Sequence, residues 1–365
     1  MAAIDISPVL KFMLDKGGSD LFFSTGASIH IEIEGDTIPI NNQPMAPGMI
    51  KEIAYSLMSA DQIREFESTL ECNFALSRSE IGRFRVNVFK QRGEVGMVIR
   101  HIKTEIPSID TLGLPAILKE LVTRKRGLLL VVGATGSGKS TTLASMIDYR
   151  NETSNGHILT LEDPIEFVHP HKKSVVDQRE VGIDTLSFEN GLKNAMRQAP
   201  DVILIGEVRD MDGMKNALAY AETGHLCLAT LHANNASQAL ERVISFFPED
   251  GRSGLLLGMS MNLVGIISQR LVPGKQSKRV AATEVLINTP YMAELIQKQK
   301  MSEIKDIMGE NTDIGMQTFD QSLFKLFSGG KIDEDNALAN ADSRNDLSLK
   351  IRFAAEGSRS GGFSA

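Results

Sequence analysis

The stretch Gly127–Arg150, GLLLVVGATGSGKSTTLASMIDYR, restricts the possible folds more than any other part of the chain. Leu128–Val132 is an uninterrupted apolar run of strand length, the pattern of a strand buried on both faces. It leads into Gly133-Ala-Thr-Gly136-Ser-Gly138-Lys139-Ser140, a full match to G-x-x-x-x-G-K-[ST]. Beyond it, Thr141–Tyr149 sets Leu143, Met146 and Ile147 at helical spacing. Between a strand and a helix N-terminus, such glycines let backbone N–H groups close around a phosphate, and the helix end adds partial positive charge. Lys139 is expected to reach the β- and γ-phosphates and Ser140 to hold Mg²⁺. Gly133, Thr135, Gly136, Ser137, Gly138 and Thr141 complete the expected cradle. The motif implies binding of ATP or GTP.

A chain of 365 residues exceeds one ordinary core, and 42% hydrophobic residues supply enough apolar material for two domains or slightly more. The formal charge of −7 argues against a nucleic-acid translocase, which needs a basic track. Cys72 and Cys227 lie far apart in apolar sequence and read as reduced core thiols, with no Cys-x-x-Cys pair for zinc. The N-terminal MAAIDISPVLKFMLDKG reads as an amphipathic helix and not as a signal peptide. The uncharged stretch Ser253–Gln269 is shorter than the ~20 apolar residues of a spanning helix and reads as a buried helix. A soluble, cytoplasmic protein is expected.

Residues 1–102 read as a small α+β domain. A helix ending near Gly17-Gly18 precedes strand-like runs at Asp20–Ser24, Ser28–Ile33 and Thr37–Ile40. Pro47–Phe66 reads as helical, with the proline in its first turn, and Glu71–Ser77, Gly82–Gln91 and Glu94–Ile102 as strands, with Arg92-Gly93 a hairpin turn. Arg85 and Arg100 then fall on adjacent antiparallel strands, where the plain reading is a solvated sheet face. Residues 103–115, rich in proline and glycine, read as a linker.

Residues 116–289 alternate strand and helix, which implies a parallel sheet covered by helices. Residues 290–356 read as an amphipathic all-helical segment, and 357–365 as a disordered tail.

In open α/β sheets, ligands gather at the carboxyl ends of strands. That edge receives Glu162, Asp163 and Glu166 from the strand His157–Asp163, Glu207 after Val202–Gly206, and Thr230 and His232 from Leu226–His232. Val202-Ile-Leu-Ile205-Gly-Glu207 has the form of a strand whose terminal carboxylate holds Mg²⁺. Glu166 or Glu162 is the candidate for positioning or deprotonating an attacking water. His225 and His232 are separated by seven residues at ~3.3 Å each, too far for both to touch one phosphate. The strand-end rule selects His232. His169 and His171, beside Lys172-Lys173, read as a solvated loop.

Together with the Gly-rich loop, ILTLEDPIEF (Ile158–Phe167), VILIGEVRD (Val202–Asp210) and TGHLCLATLHANNA (Thr223–Ala236) resemble the Walker A, Asp box, Walker B and His box of the secretion-ATPase superfamily, in order and spacing. The likeness spans nearly the whole chain. Its length, small N-terminal domain and lack of a cysteine tetrad are similar to the type IV pilus retraction ATPases of the PilT/PilU family. Arg197-Gln-Ala-Pro-Asp201, Pro290-Tyr-Met-Ala-Glu-Leu-Ile296, GMQTFDQSLF (Gly315–Phe324) and ADSRNDLSL (Ala341–Leu349) resemble its PilU-like branch more than its PilT-like branch.

The resemblance implies a hexameric ring of a PAS-like N-terminal domain joined to a RecA-like domain, with ATP and Mg²⁺ bound between them. It implies that Glu166 acts on the catalytic water, Glu207 on Mg²⁺, His232 on the γ-phosphate, and Arg85 and Arg100 on phosphates. It further implies an ATPase for pilus retraction and twitching motility at the cytoplasmic face of the inner membrane. The partners implied are a PilT-like motor and a PilC-like platform protein, with membrane association through partners alone and no nucleic acid. The alternative is a nucleotide-binding accessory protein of the motor with little hydrolysis of its own.

Overall fold

The structure is a computed structural model that describes residues 5–78, 80–276 and 279–360. The chain forms two compact units, one up to Glu105 together with Glu166–Val168, the other Ile106–Ile165 with His169 onward.

In the first unit, α1 (Ser7–Asp15), β1 (Asp20–Phe23), β2 (His30–Ile33) and β3 (Asp36–Pro39) are followed by α2 (Met49–Leu57) and α3 (Ala60–Thr69), then β4 (Glu71–Arg78), β5 (Gly82–Gln91) and β6 (Glu94–Ile102). The strands form one antiparallel sheet in the order β3-β2-β1-β6-β5-β4. Along β5 buried and half-buried residues alternate, so Phe84, Val86 and Val88 enter the core while Arg83 and Arg85 point away from it. The helical stretch read at Pro47–Phe66 is divided between α2 and α3, and Pro47 lies just before the first of them. The chain breaks at Met58-Ser59, where the Ser59 hydroxyl accepts from the Gln62 N–H and the Gln62 side chain returns to the Ser59 N–H. This capping box starts a new helix more favourably than it continues the old one.

In the second unit, α4 (Ile117–Val122) leads to β7 (Gly127–Val132), α5 (Lys139–Thr153), β8 (Gly156–Glu162) and β9 (Ser174–Glu180). There follow α6 (Phe188–Ala195), β10 (Val202–Ile205), α7 (Met211–Glu222), β11 (Leu226–Leu231), α8 (Ala236–Ser245) and α9 (Glu249–Asn262). The sheet order is β13-β12-β7-β11-β10-β8-β9, with β12 (Leu263–Pro273) and β13 (Arg279–Ile287). All neighbours are parallel except the β12–β13 hairpin. Strands β7, β10 and β11 are buried along their whole length, which is why they read as continuous apolar runs.

Ser253–Gln269, expected as a single buried helix, is divided between α9 and β12. Its lack of charge does not distinguish a buried helix from a buried strand, and the β-branched residues Val264, Ile266 and Ile267 favour the strand. Strand β9 was hidden for the opposite reason, since an edge strand of sequence SVVDQRE carries few apolar residues.

The chain ends in α10 (Pro290–Gln297), α11 (Ile304–Glu310), α12 (Phe319–Ser328), α13 (Glu334–Ala339) and α14 (Arg344–Ser360). Phe319, Leu323, Ile332 and Leu347 form a small core against Val272 and Ala282 of the hairpin. Helix α14 continues into the stretch 357–365 expected to be disordered, because extending an existing helix costs little. Residues 361–365 of that stretch lie outside the described residues. Among the described residues no helix is long and apolar enough to cross a membrane.

Near the end of α5, Arg150 is buried and donates through Nη1 to the carbonyls of Val122, at 2.7 Å, and Arg124, at 2.8 Å, around the C-terminal end of α4. These are the orphan acceptors of a helix terminus. Arg150→Met keeps most of the volume and leaves them unpaired, so a loss of about 2 kcal/mol is expected in urea denaturation.

Candidate functional site

The Gly-rich loop leaves β7 at Val132 and enters α5 at Lys139, with Gly138 as N-cap at φ 87°. A Cβ at Gly133 would lie 2.4 Å from the Ser137 Oγ, and one at Gly138 would lie 2.7 Å from the Gln269 Nε2, so glycine is required at both. Lys139 Nζ donates to the carbonyls of Gly133, at 2.9 Å, and Ala134, at 3.0 Å, curling the loop around its own ammonium group. The Ser137 hydroxyl is buried and has no hydrogen-bond partner.

Two clefts flank the loop. One of about 570 Å³ is lined by Ala134–Ser137, Asn234 and Arg270, and one of about 680 Å³ by Gly138, Thr141, Leu112 and Arg279. An orphaned hydroxyl, glycines at close approach and a helix N-terminus suit a phosphate group. The hydroxyl of Ser140 and the carboxylate of Glu207 are oxygen donors, which suit Mg²⁺.

The carboxyl edge of the sheet carries the second set of residues. β10 hands over to Glu207 by way of Gly206, whose N–H bonds the Leu161 carbonyl of β8 at 2.7 Å. The Val208 N–H bonds the Thr230 carbonyl of β11 at 2.9 Å, so Glu207 is held between its two neighbouring strands. Its carboxylate accepts from Arg209 Nε at 2.6 Å and lies 3.0 Å from His232 Nε2. Arg209 also reaches Asp163 at 3.8 Å. The Glu207 carboxylate, the larger influence, and Asp163 push the Arg209 guanidinium further toward its charged form.

His232 is delivered by the end of β11. The turn that follows is anchored where Asn235 caps α8 and the buried Glu284 accepts from the Ala236 N–H at 2.7 Å and the Ser268 hydroxyl at 2.9 Å. Burial raises the Glu284 carboxyl above its ordinary pKa, and these hydrogen bonds act against it.

The structure thus brings together Glu207, His232 and Asp163, and adds Arg209. The local signal for Arg209 was its position two residues beyond the strand-end carboxylate. Glu162 is turned aside, its carboxylate accepting from Thr160 at 2.7 Å and Gln178 at 3.2 Å. Glu166 is exposed and groups with the first unit, where Phe167 bridges Lys103. Arg85 and Arg100 face each other in register across β5 and β6, and Arg100 Nε binds the buried Asp20 at 2.7 Å. His225 is tied to the end of α7 through Thr223 and the Tyr220 carbonyl.

His169 is not in a solvated loop. It is buried, its backbone N–H donates to Gln178 at 2.8 Å, and burial pulls its imidazole down to about 4. Among the described residues no cluster of three or more His, Cys, Asp or Glu is arranged to hold a metal ion.

A buried parallel strand, a glycine loop closing onto a helix, and a carboxylate edge beside them define a P-loop nucleotide-binding protein with a RecA-like core. Residues 3–304 match the family described as type II/IV secretion system protein. The chain is 52% identical over 97% of its length to the type IV pilus ATPase PilU of Pseudomonas aeruginosa, covering 93% of that protein. It is 41% identical to the retraction ATPase PilT of the same organism, over 93% of this chain and 98% of PilT. A crystal structure of the pilus retraction motor PilT with bound ADP superimposes with a TM-score of 0.88 at 41% identity, covering 95% of this chain and 99% of the other. The chain belongs to the PilT/PilU family of type II/IV secretion ATPases.

The depressed His169 has a consequence for stability. Its folded pKa of about 4 lies below its ordinary value of 6.5, so the unfolded chain binds the extra proton between those limits. Its contribution is complete above pH 6.5 and is lost as pH falls toward 4. Denaturation midpoints of wild type and His169→Leu, followed from pH 7 to 4.5, are expected to show a shallower decline in the variant.

Proposed function

We propose that this chain is a cytoplasmic, hexameric ATPase that hydrolyses ATP with Mg²⁺ to power or assist type IV pilus retraction, as a PilU-like partner of a PilT-like motor. The observation that carries the reading is the phosphate loop between β7 and α5, on the same sheet edge as Glu207 and His232. Likeness to PilU over 97% of the chain supports the biological role. The proposed site of action is the cytoplasmic face of the inner membrane, reached through a PilC-like platform protein.

In this reading the loop N–H groups and Lys139 bind the β- and γ-phosphates, Lys139 exchanging its loop carbonyls for phosphate oxygens. Gly133, Thr135, Gly136, Ser137, Gly138 and Thr141 shape the cradle. Ser140 and Glu207 hold Mg²⁺, which supplies charge neutralisation on the phosphates. His232, coupled to Glu207, senses the γ-phosphate. Glu166 is the group for the attacking water. Its exposure supports this role, whereas Glu162 is already engaged by Thr160 and Gln178.

Arg85 and Arg100 are assigned to phosphate. Like charges directly opposite on a sheet repel, and Asp20 offsets only Arg100, so an anion near Arg85 would relieve the pair. One observation favours the accessory reading as well: both Glu207 oxygens already have a partner, Arg209 and His232, with which a metal ion would share them.

Steady-state ATPase activity with mass measured on the same samples separates these readings. The motor reading expects hydrolysis by a hexamer, abolished in Lys139→Ala and Glu207→Ala and reduced about a hundredfold or more in Glu166→Gln. A folded wild type that binds ATP without turning it over would replace the motor with the accessory protein.

A further inference from the structure

We propose that Gln269 of β12 is a positioning residue for the phosphate loop, its carboxamide clamping the end of the loop to the first turn of α5. The inference rests on the nucleotide-binding reading above and extends it to a strand outside the recognised motifs. Gln269 is buried, and its side chain reaches the loop at two points. Nε2 donates to the Ser137 carbonyl at 2.8 Å, and Oε1 accepts from the Thr142 hydroxyl at 2.6 Å. A carbonyl only accepts, so the amide nitrogen must face Ser137, and Thr142 must then donate to the remaining oxygen. Among side chains of this length, carboxamide alone supplies a donor to one and an acceptor to the other. Glutamate would set oxygen against oxygen, and methionine would leave both partners unpaired.

The backbone of Gln269 also shapes the loop. β12 runs parallel to β7 with Ser268 opposite Val132, so Gln269 lies alongside the point where β7 becomes the loop. A Cβ at Gly133 would come within 2.6 Å of the Gln269 carbonyl oxygen, and the Gly138 position is closed by Nε2. The strand is itself held in place. β13 pairs with it on the other side, and the next residue, Arg270, binds Asp342 at 2.8 Å and the Asn340 carbonyl at 3.0 Å. The guanidinium lies 3.8 Å from the ring centroid of Phe319. Gln269 therefore projects from an anchored backbone, and its hydrogen bonds hold the Ser137 carbonyl and the Thr142 hydroxyl to β12. The Ser137 N–H itself bonds the Ala134 carbonyl at 3.2 Å, so the clamp ties a loop already folded on itself to the sheet.

The test compares wild type, Gln269→Met and Thr142→Val in three measurements: hydrogen exchange of the loop amides 134–138 without nucleotide, ADP affinity by calorimetry, and melting temperature. Gln269→Met is expected to exchange its loop amides about tenfold faster and to bind ADP about tenfold more weakly, equivalent to about 1.4 kcal/mol. Thr142→Val, which loses one of the two bonds, is expected to move both in the same direction by about threefold. If folded Gln269→Met keeps wild-type exchange and affinity while only its melting temperature falls, Gln269 merely fills the core and the proposal is overturned. If Gln269→Met does not fold, Thr142→Val decides on the same two readouts. A wild type that binds no ADP would sink the nucleotide reading, and the exchange measurement would still judge the clamp.

Discussion

The burial of β7 between β11 and β12 is the constraint from which the second unit takes its arrangement. With all six residues buried and both edges paired, the strand has no freedom of register, so its exit point is set by the sheet. The chain must then turn from an extended strand into a helix within a few residues, under the close approach of Gln269 on one side. Only glycine satisfies that path at Gly133 and Gly138. The same geometry leaves the first N–H groups of α5 without intrahelical partners, which is the physical origin of an anion site.

The carboxyl edge beside the loop is an electrostatic balance. Glu207 and Asp163 share Arg209, and His232 approaches Glu207 from the neighbouring strand. Arg209 thus offsets part of the negative charge at this edge, and a polyanion with its cation would compete for the same groups. Within the proposed function, binding of nucleotide and cation would rearrange these contacts, a change of the kind by which binding is converted into movement.

Much of this was legible in the chain. Continuous apolar runs revealed the central strands because burial on both faces removes polar residues altogether, and strand ends then pointed to Glu207 and His232. Edge elements were harder to read. β9 carries charges because only part of it is covered, and β12 was concealed within an uncharged stretch whose first half is helical. Gln269 was invisible for that reason, since its role depends on a pairing with a strand more than a hundred residues earlier. Lys172-Lys173 made the neighbourhood of His169 look solvated, but Lys172 turns to Asp148 and Glu152 while the imidazole is covered by the fold.

By itself the sequence determined the local chemistry: a phosphate loop between strand and helix, strand-end acids, a histidine after β11, and a P-loop ATPase core. These are properties of short segments, governed by backbone conformation and by which residues tolerate burial. Only the tertiary structure decided which side chains act together. It joined Arg209 to Glu207 and Asp163, turned Glu162 toward Thr160 and Gln178, and set Gln269 against the loop. Those relations depend on the order and register of strands distant in the chain, which are settled by packing the whole sheet and not by any segment alone.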